Sequence, residues 1–120
     1  MDPTQFEHLL VETTRNACFI KVLDHDSDSR DEVRAELETA AKCDKATLML
    51  NLCEISAPSR SLLVALLRVE AYLQKHGRSL KIYNLSPQCE QLFRKTNLDR
   101  LLDVFESEDV AFESLQLSLS

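Results

Sequence analysis

Three short apolar segments, separated by longer stretches with helical periodicity, constrain the fold of this chain most. They are residues 17–23 (ACFIKVL), 46–52 (ATLMLNL) and 79–85 (SLKIYNL), and their length and their apolar, β-branched or aromatic residues are typical of strands. Residues 46–52 are apolar almost throughout, which indicates a strand covered on both faces of a sheet. Strands that alternate with helices predict an α/β layer fold with helices packed on a mostly parallel sheet.

Two further segments bring the expected sheet to about four to five strands. Residues 8–14 (HLLVETT) form a candidate strand that pairs with the first apolar segment through a tight turn, and residues 101–105 (LLDVF) form a short one near the C-terminus. The sequence therefore predicts a mixed sheet with an antiparallel pair at its start. We expect one domain, residues 1–120, with its core at about residues 8–115, because 120 residues fit a single core.

Helix boundaries are marked by capping residues. Ser29 or Asp28 is positioned to cap a helix that carries apolar residues at helical spacing, and Ser59 is positioned to cap a long apolar helix expected to be largely buried. The other signals are Gly77 after that helix, Ser86 with Pro87 before the next, Asn97 where a left-handed residue is needed, and Ser107 before a terminal helix.

Charge and composition exclude several function classes. The formal net charge of −6 argues against nonspecific nucleic-acid binding, which needs a basic face. No apolar run is long enough to predict direct membrane insertion, and residues 1–10 lack the basic region of a signal peptide. We therefore expect a cytoplasmic protein.

The side chains that could carry chemistry do not form a recognised site in the sequence. Asp24, Asp26 and Asp28 resemble the start of a calcium loop, but the positions that need glycine and glutamate hold Ser29 and Ala35. His25 has no nucleophile or oxyanion arrangement beside it, and the single glycine excludes a glycine-rich phosphate loop. We expect no catalytic residues, no metal and no cofactor.

The four cysteines, Cys18, Cys43, Cys53 and Cys89, form no closely spaced pair of the kind that zinc sites use. Cys18 and Cys53 lie in apolar, strand-like segments. The sequence therefore predicts buried free thiols in a reducing compartment.

With these elements in place, the chain resembles the STAS domain family of anti-sigma factor antagonists and sulfate transporter tails. The resemblance covers about residues 8–115, in three segments: the strand LMLNL with the helix and strand that end in KHGRSLKIYNLSP, the segment QLFRKTNLDRLLDVFES, and the segment VLDHDSDSRDEV. The order of elements is more specific than any one motif. It implies a single STAS-like α/β domain.

The family signature, Asp-Ser-Ser-Gly at the start of the second helix, is altered here. By spacing, Ser59 stands for the aspartate, Arg60 for the first serine, which partner kinases phosphorylate in antagonists, Ser61 for the second serine and Leu62 for the glycine. Asp26 matches an aspartate that the family carries before its first helix. Ser59 and Ser61 remain candidate phosphorylation sites, and an unmodified helix start is the alternative.

The resemblance implies a noncatalytic interaction module that binds an anti-sigma factor or a related serine kinase and so regulates transcription in a bacterial partner-switching pathway. The alternative is a scaffold subunit, not phosphorylated, of a larger signalling or lipid-transport assembly. A homodimer is also open, since residues 115–120 could dock on a second copy or simply fray. The expected partner-binding residues are Asp26, Ser56, Ser59, Arg60, Ser61, Leu62 and Leu63.

Overall fold

A computed structural model describes residues 6–24 and 29–119, with the environment of side chains described through residue 114. Strands and helices alternate after an initial strand pair, as the sequence predicts. The elements are β1 (Leu9–Thr13), β2 (Ala17–Val22), α1 (Arg30–Ala40), β3 (Thr47–Asn51), α2 (Arg60–Lys75), β4 (Ser79–Tyr83), α3 (Pro87–Thr96), α4 (Leu98–Leu101), β5 (Asp103–Phe105) and α5 (Glu108–Leu119).

The strands form one five-stranded sheet in the order β1-β2-β3-β4-β5. β1 is antiparallel to β2, and every later neighbour is parallel, so the predicted α/β class and the mostly parallel mixed sheet are confirmed. The register aligns Lys21, Asn51 and Tyr83 at the carboxyl ends of β2, β3 and β4. The loops that follow these strands therefore leave the sheet at one edge.

The main core lies between one face of the sheet and α1, α2 and α3, and Phe93 of α3 is fully buried in it. On the opposite face, α5 covers a smaller cluster of Ala17, Met49, Tyr83 and Ala111. Both faces of β3 are thus buried, which explains why its sequence is apolar almost throughout.

Predicted end signals match the observed helix ends. The Ser86 side chain caps α3 with Pro87 in the first turn, and Gly77 adopts φ of +70° after α2. Asn97 adopts φ of 60°, a left-handed conformation that asparagine tolerates better than most residues. Ser107 accepts a hydrogen bond from the backbone N–H of Val110 and so caps α5.

The structure corrects three expectations. Leu101, predicted to begin a strand, ends the short helix α4, and β5 contains only three residues, because the left-handed turn at Asn97 leads directly into another helical turn. Cys53 is exposed rather than buried, since it lies beyond the end of β3, in the loop before α2. Ser29 occupies the cap position of α1 without a side-chain hydrogen bond.

Asp26 and Asp28, with His25, lie outside the described residues. None of the helices in the described part of the chain is long and apolar enough to cross a membrane.

Candidate functional site

The helix-start loop, residues 52–59, joins the carboxyl end of β3 to α2. Ile55 in this loop is buried in the core, whereas Ser56 and Ala57 are exposed. In parallel sheets the loops at the carboxyl ends of neighbouring strands lie side by side, and this edge is a common place for binding sites. The position of the loop therefore makes its exposed residues available to a partner.

Asp24, directly after β2, fixes the exposed part of this loop. The Ser56 hydroxyl donates to the Asp24 carboxylate, 3.0 Å from each oxygen, and the Ser56 backbone N–H donates to Oδ1 at 3.2 Å. Asp26 itself lies outside the described residues. These contacts bring together two segments 32 residues apart in the sequence.

A buried serine fixes the other side of the loop. The Ser86 hydroxyl donates to the backbone carbonyl of Ile55 at 2.5 Å and accepts from the backbone N–H of Cys89 at 3.2 Å. Ser86 is 5% exposed, so neither hydrogen bond has an easy replacement by water. The loops after β3 and β4 are therefore joined through one side chain.

The start of α2 combines a helix N-cap, Ser59, with a cationic side chain, Arg60. Ser59 is extended and its hydroxyl accepts from the backbone N–H of Leu62 at 3.3 Å, which makes it the N-cap of α2, as predicted. Arg60 is exposed and forms no ion pair with any described residue. Leu62 and Leu63 are 4% and 7% exposed and belong to the core, so their side chains hold α2 against the sheet and are not available to a partner.

Replacing Ser59 by alanine is expected to lower the free energy of unfolding by about 1 kcal/mol, because a helix N–H loses its acceptor. Chemical denaturation of the variant measures this loss, and Ser59→Asp, which keeps an acceptor at the cap, serves as the control. Equal stability of the alanine variant and the native chain would show that Ser59 contributes no cap.

Two exposed apolar side chains lie on α2 beyond its first residue. Val64 and Leu67 are 45% and 39% exposed, and they follow Arg60 at helical spacing. Arg68, next on the same side, lies 3.9 Å from Glu38 of α1. We call the residues Ser56, Ser59, Arg60, Ser61, Val64 and Leu67 the α2 surface.

A groove of about 600 Å³ adjoins the α2 surface at Pro58. Its other wall is the outer face of α3, where polar and basic side chains surround the partly buried Leu92. Arg94 is paired there with Glu90 at 2.6 Å, one turn earlier. Sequence reasoning missed this groove because the helix-start loop and α3 come together only in the folded chain. Its lining residues are Pro58, Gln88, Gln91, Leu92, Arg94 and Lys95.

Val64 and Leu67 were missed for a different reason. The sequence predicts a largely buried helix, and burial is confirmed for one face only, because the sheet contacts α2 from one side. The available signal was that α2 has apolar residues on more faces than one sheet can cover. Such a surplus indicates an unpartnered surface.

Titratable side chains away from the α2 surface form hydrogen bonds, and their arrangement does not indicate a particular reaction. Tyr83 donates to Glu108 at 3.1 Å, and burial raises the pKa of its hydroxyl well above the ordinary value, so it remains a neutral donor. Among the described residues, Glu7, His8 and Glu32 form a group whose metal-ligand atoms lie within 4.8 Å of one another. This group lies at the contact of β1 with α1 and includes no residue of the α2 surface.

His8 makes the stability of the fold dependent on pH. The hydrogen bond from Nδ1 to Glu36 raises the pKa of His8 above 6.5, against the lowering effect of burial, and the charges of Glu36, Glu32 and Glu7 raise it further. Because the folded-state pKa is the higher one, this stabilisation is complete below pH 6.5 and is lost as the pH rises through the folded-state pKa.

We therefore expect unfolding experiments to show His8→Gln losing more stability at pH 6 than at pH 9. Glu36→Gln should remove the same pH-dependent component, and the double variant should lose no more of it than either single variant. A stability difference between His8→Gln and the native chain that is equal at both pH values would contradict this coupling.

The chain is similar to known proteins both in sequence and in fold. The model of the family described as "Mlab, STAS domain" matches residues 11–103. No curated protein matches the chain in sequence. Among solved structures, an anti-sigma-factor antagonist (STAS) domain protein from Planctomyces limnophilus is similar, with a TM-score of 0.78 and 12% identity over 90% of this chain and 97% of the other.

Two structures of one protein show the same similarity. The anti-sigma factor antagonist SpoIIAA in its unphosphorylated form gives a TM-score of 0.72 at 20% identity, over 90% of this chain and 96% of the other. The phosphorylated form of SpoIIAA, a cell fate determinant of Bacillus, gives 0.66 at 20% identity, over 89% and 98%. Structural similarity at such low sequence identity establishes the fold only. The family model, in contrast, matches most of the chain, and the chain therefore belongs to the STAS domain family.

Proposed function

We propose that this chain is a cytoplasmic, noncatalytic regulatory domain that recognises a protein partner through the α2 surface. The partner is an anti-sigma factor or a related serine kinase in a partner-switching pathway that regulates transcription. The observation that carries the proposal is the exposed Arg60 at the start of α2, which has no ion pair with any residue that the structure describes, followed by exposed Val64 and Leu67. A charged group beside apolar anchors is a common composition for a recognition surface.

The charge of the α2 surface indicates the chemistry of the partner. The protein as a whole carries −6, yet Arg60 has no acidic partner among the described residues, and Lys95 lies in the adjoining groove. The start of a helix is itself partly positive. A partner with an acidic side chain opposite Arg60 and apolar residues opposite Val64 and Leu67 fits this surface.

Phosphorylation of Ser59 or Ser61 is the regulatory step that we propose for this surface. Phosphate adds a charge of roughly −1.5 to −2 and is well placed at a helix start. Here it would lie beside Arg60 and repel an acidic partner. Ser59 already uses its oxygen as a cap, whereas Ser61 is half-buried in the first turn.

Phosphopeptide mass spectrometry of the protein from its native host, under growth and under stress, tests this step. Phosphate on either serine at substantial occupancy supports it. Unmodified peptides in both conditions would mean that partner binding is constitutive and that Arg60 replaces a switchable group.

The partner itself is tested by affinity capture in the native host followed by titration of the purified pair. We expect a protein with an ATP-binding serine-kinase fold, and we expect Val64→Asp to weaken its binding about tenfold by placing a charge among apolar contacts. Leu10→Asp is the matched control, because Leu10 is 57% exposed on the opposite face of the sheet. Equal weakening by both variants would argue against the α2 surface.

A scaffold subunit of a larger signalling or lipid-transport assembly is the second candidate. Arg60 favours it, since an arginine in the position of the phosphorylated serine removes the usual acceptor. A large homomeric particle or a transporter complex recovered in the capture experiment, with unmodified Ser59 and Ser61, would support the scaffold over the switch.

A further inference from the structure

Cys18 and Cys43 line one cavity, which lies at the opposite end of the strands from the helix-start loop. The cavity has a volume of about 200 Å³ and lies where β1 and β2 meet the C-terminal end of α1. Cys18 is 1% exposed on β2, and Cys43 is half-buried in the connection from α1 to β3. The pair therefore has one enclosed sulfur and one that solvent reaches.

Arg78 holds the more accessible sulfur in place. Its Nη2 donates to the Cys43 sulfur at 3.4 Å, while Nη1 donates to the carbonyl of Ala41 at 2.8 Å and Nε to the carbonyl of Lys45 at 2.7 Å. Thiolates are the form of cysteine that attacks oxidants and disulfides, and Cys43 is the one of these two cysteines whose sulfur solvent reaches. The same three hydrogen bonds fix the connection that carries Cys43.

Cys18 has the opposite environment. Burial, and to a lesser extent the neighbouring Cys43, raise the pKa of Cys18 to about 12. Cys18 is therefore a neutral thiol, and it lines the same cavity as Cys43. This arrangement separates a half-buried reacting sulfur, which solvent reaches, from an enclosed resolving one.

We propose that Cys18 and Cys43 form an oxidisable dithiol that closes to an intramolecular disulfide in the presence of a peroxide. The Cys43 thiolate attacks one peroxide oxygen, the O–O bond breaks, and the departing hydroxide takes a proton to become water, which leaves a sulfenic acid. The Cys18 sulfur then attacks the sulfenic sulfur, the S–O bond breaks, and the second hydroxide leaves with the Cys18 proton as water. Two thiols and one hydrogen peroxide thus give one disulfide and two waters.

The disulfide would link β2 to the α1–β3 connection, 25 residues further along the chain. It makes the protein sensitive to oxidants at a site that shares no residue with the α2 surface. The inference therefore does not depend on the proposed partner.

The test is to expose the folded Cys53→Ser chain to hydrogen peroxide and then alkylate it under denaturing conditions. Removing the exposed Cys53 prevents disulfides between molecules through that residue. We expect the number of alkylated thiols to fall from three to one, the intact mass before alkylation to decrease by two hydrogen atoms, and digestion to yield a peptide that joins Cys18 to Cys43. Persistent alkylation of Cys18, or oxidation of Cys43 alone to sulfinic acid, would overturn the proposal.

A second variant separates the roles of the two sulfurs. With Cys43→Ser added, we expect Cys18 to remain fully alkylated after the same peroxide treatment, because its enclosed thiol is not attacked directly. Cys89, buried at the start of α3, serves as the internal reference for an unreactive thiol. Loss of Cys18 alkylation in this variant, at the native rate, would contradict the assignment of Cys43 as the reacting residue.

Discussion

Replacing Arg60 by aspartate is expected to weaken partner binding about 100-fold, or about 2.7 kcal/mol. The change removes an attraction and places a like charge opposite the acidic group that we propose for the partner, and like-charge pairs at an interface are strongly unfavourable. Titration calorimetry on the purified pair measures the affinity. The loss should shrink at high ionic strength, since exposed charges are screened by salt.

The same substitution should stabilise the isolated domain by about 0.5 kcal/mol, because an acidic residue in the first turn of a helix is favoured over a cation. α2 has no acidic residue in that turn. Opposite signs in binding and stability would show that Arg60 serves recognition at a cost to the fold. Arg60→Gln, which removes the charge without reversing it, should give an intermediate affinity, and unchanged affinity of the aspartate variant would refute the role of Arg60.

Replacing Ser86 by alanine is expected to lower the free energy of unfolding by about 2–3 kcal/mol. The change leaves the buried carbonyl of Ile55 and the N–H of Cys89 without their partner, and it removes the cap of α3. Chemical denaturation measures the loss. Partner binding should weaken as well, because the helix-start loop loses its contact with the loop after β4.

Ser86→Thr is the control, since threonine keeps the hydroxyl and should recover most of the stability. Ser59→Ala offers a comparison at a partly exposed cap, where water can replace the lost acceptor and the expected loss is only about 1 kcal/mol. Equal losses at the two serines would mean that the contact between Ser86 and Ile55 contributes little.

Local signals predicted the elements and their ends well. Ser59, Gly77 and Asn97 each act within one helical turn, through a cap or a left-handed backbone that few residues adopt, so their roles follow from adjacent residues. The strands could be recognised for the same reason, because alternation of short apolar segments with helices leaves few possible folds. Leu101 shows the limit: an apolar residue beside a short strand fits either a strand or a helical turn, and packing decides.

The sequence by itself determined the class of fold, the order of the elements and the altered signature around Arg60. Only the tertiary structure decided which apolar residues of α2 remain exposed, since exposure depends on what packs against each face and not on spacing along the helix. It also decided the contacts of Ser56 with Asp24 and of Ser86 with Ile55, which join residues 32 and 31 positions apart. Such contacts arise because parallel strands bring distant loops to one edge of the sheet, and no local pattern encodes that proximity.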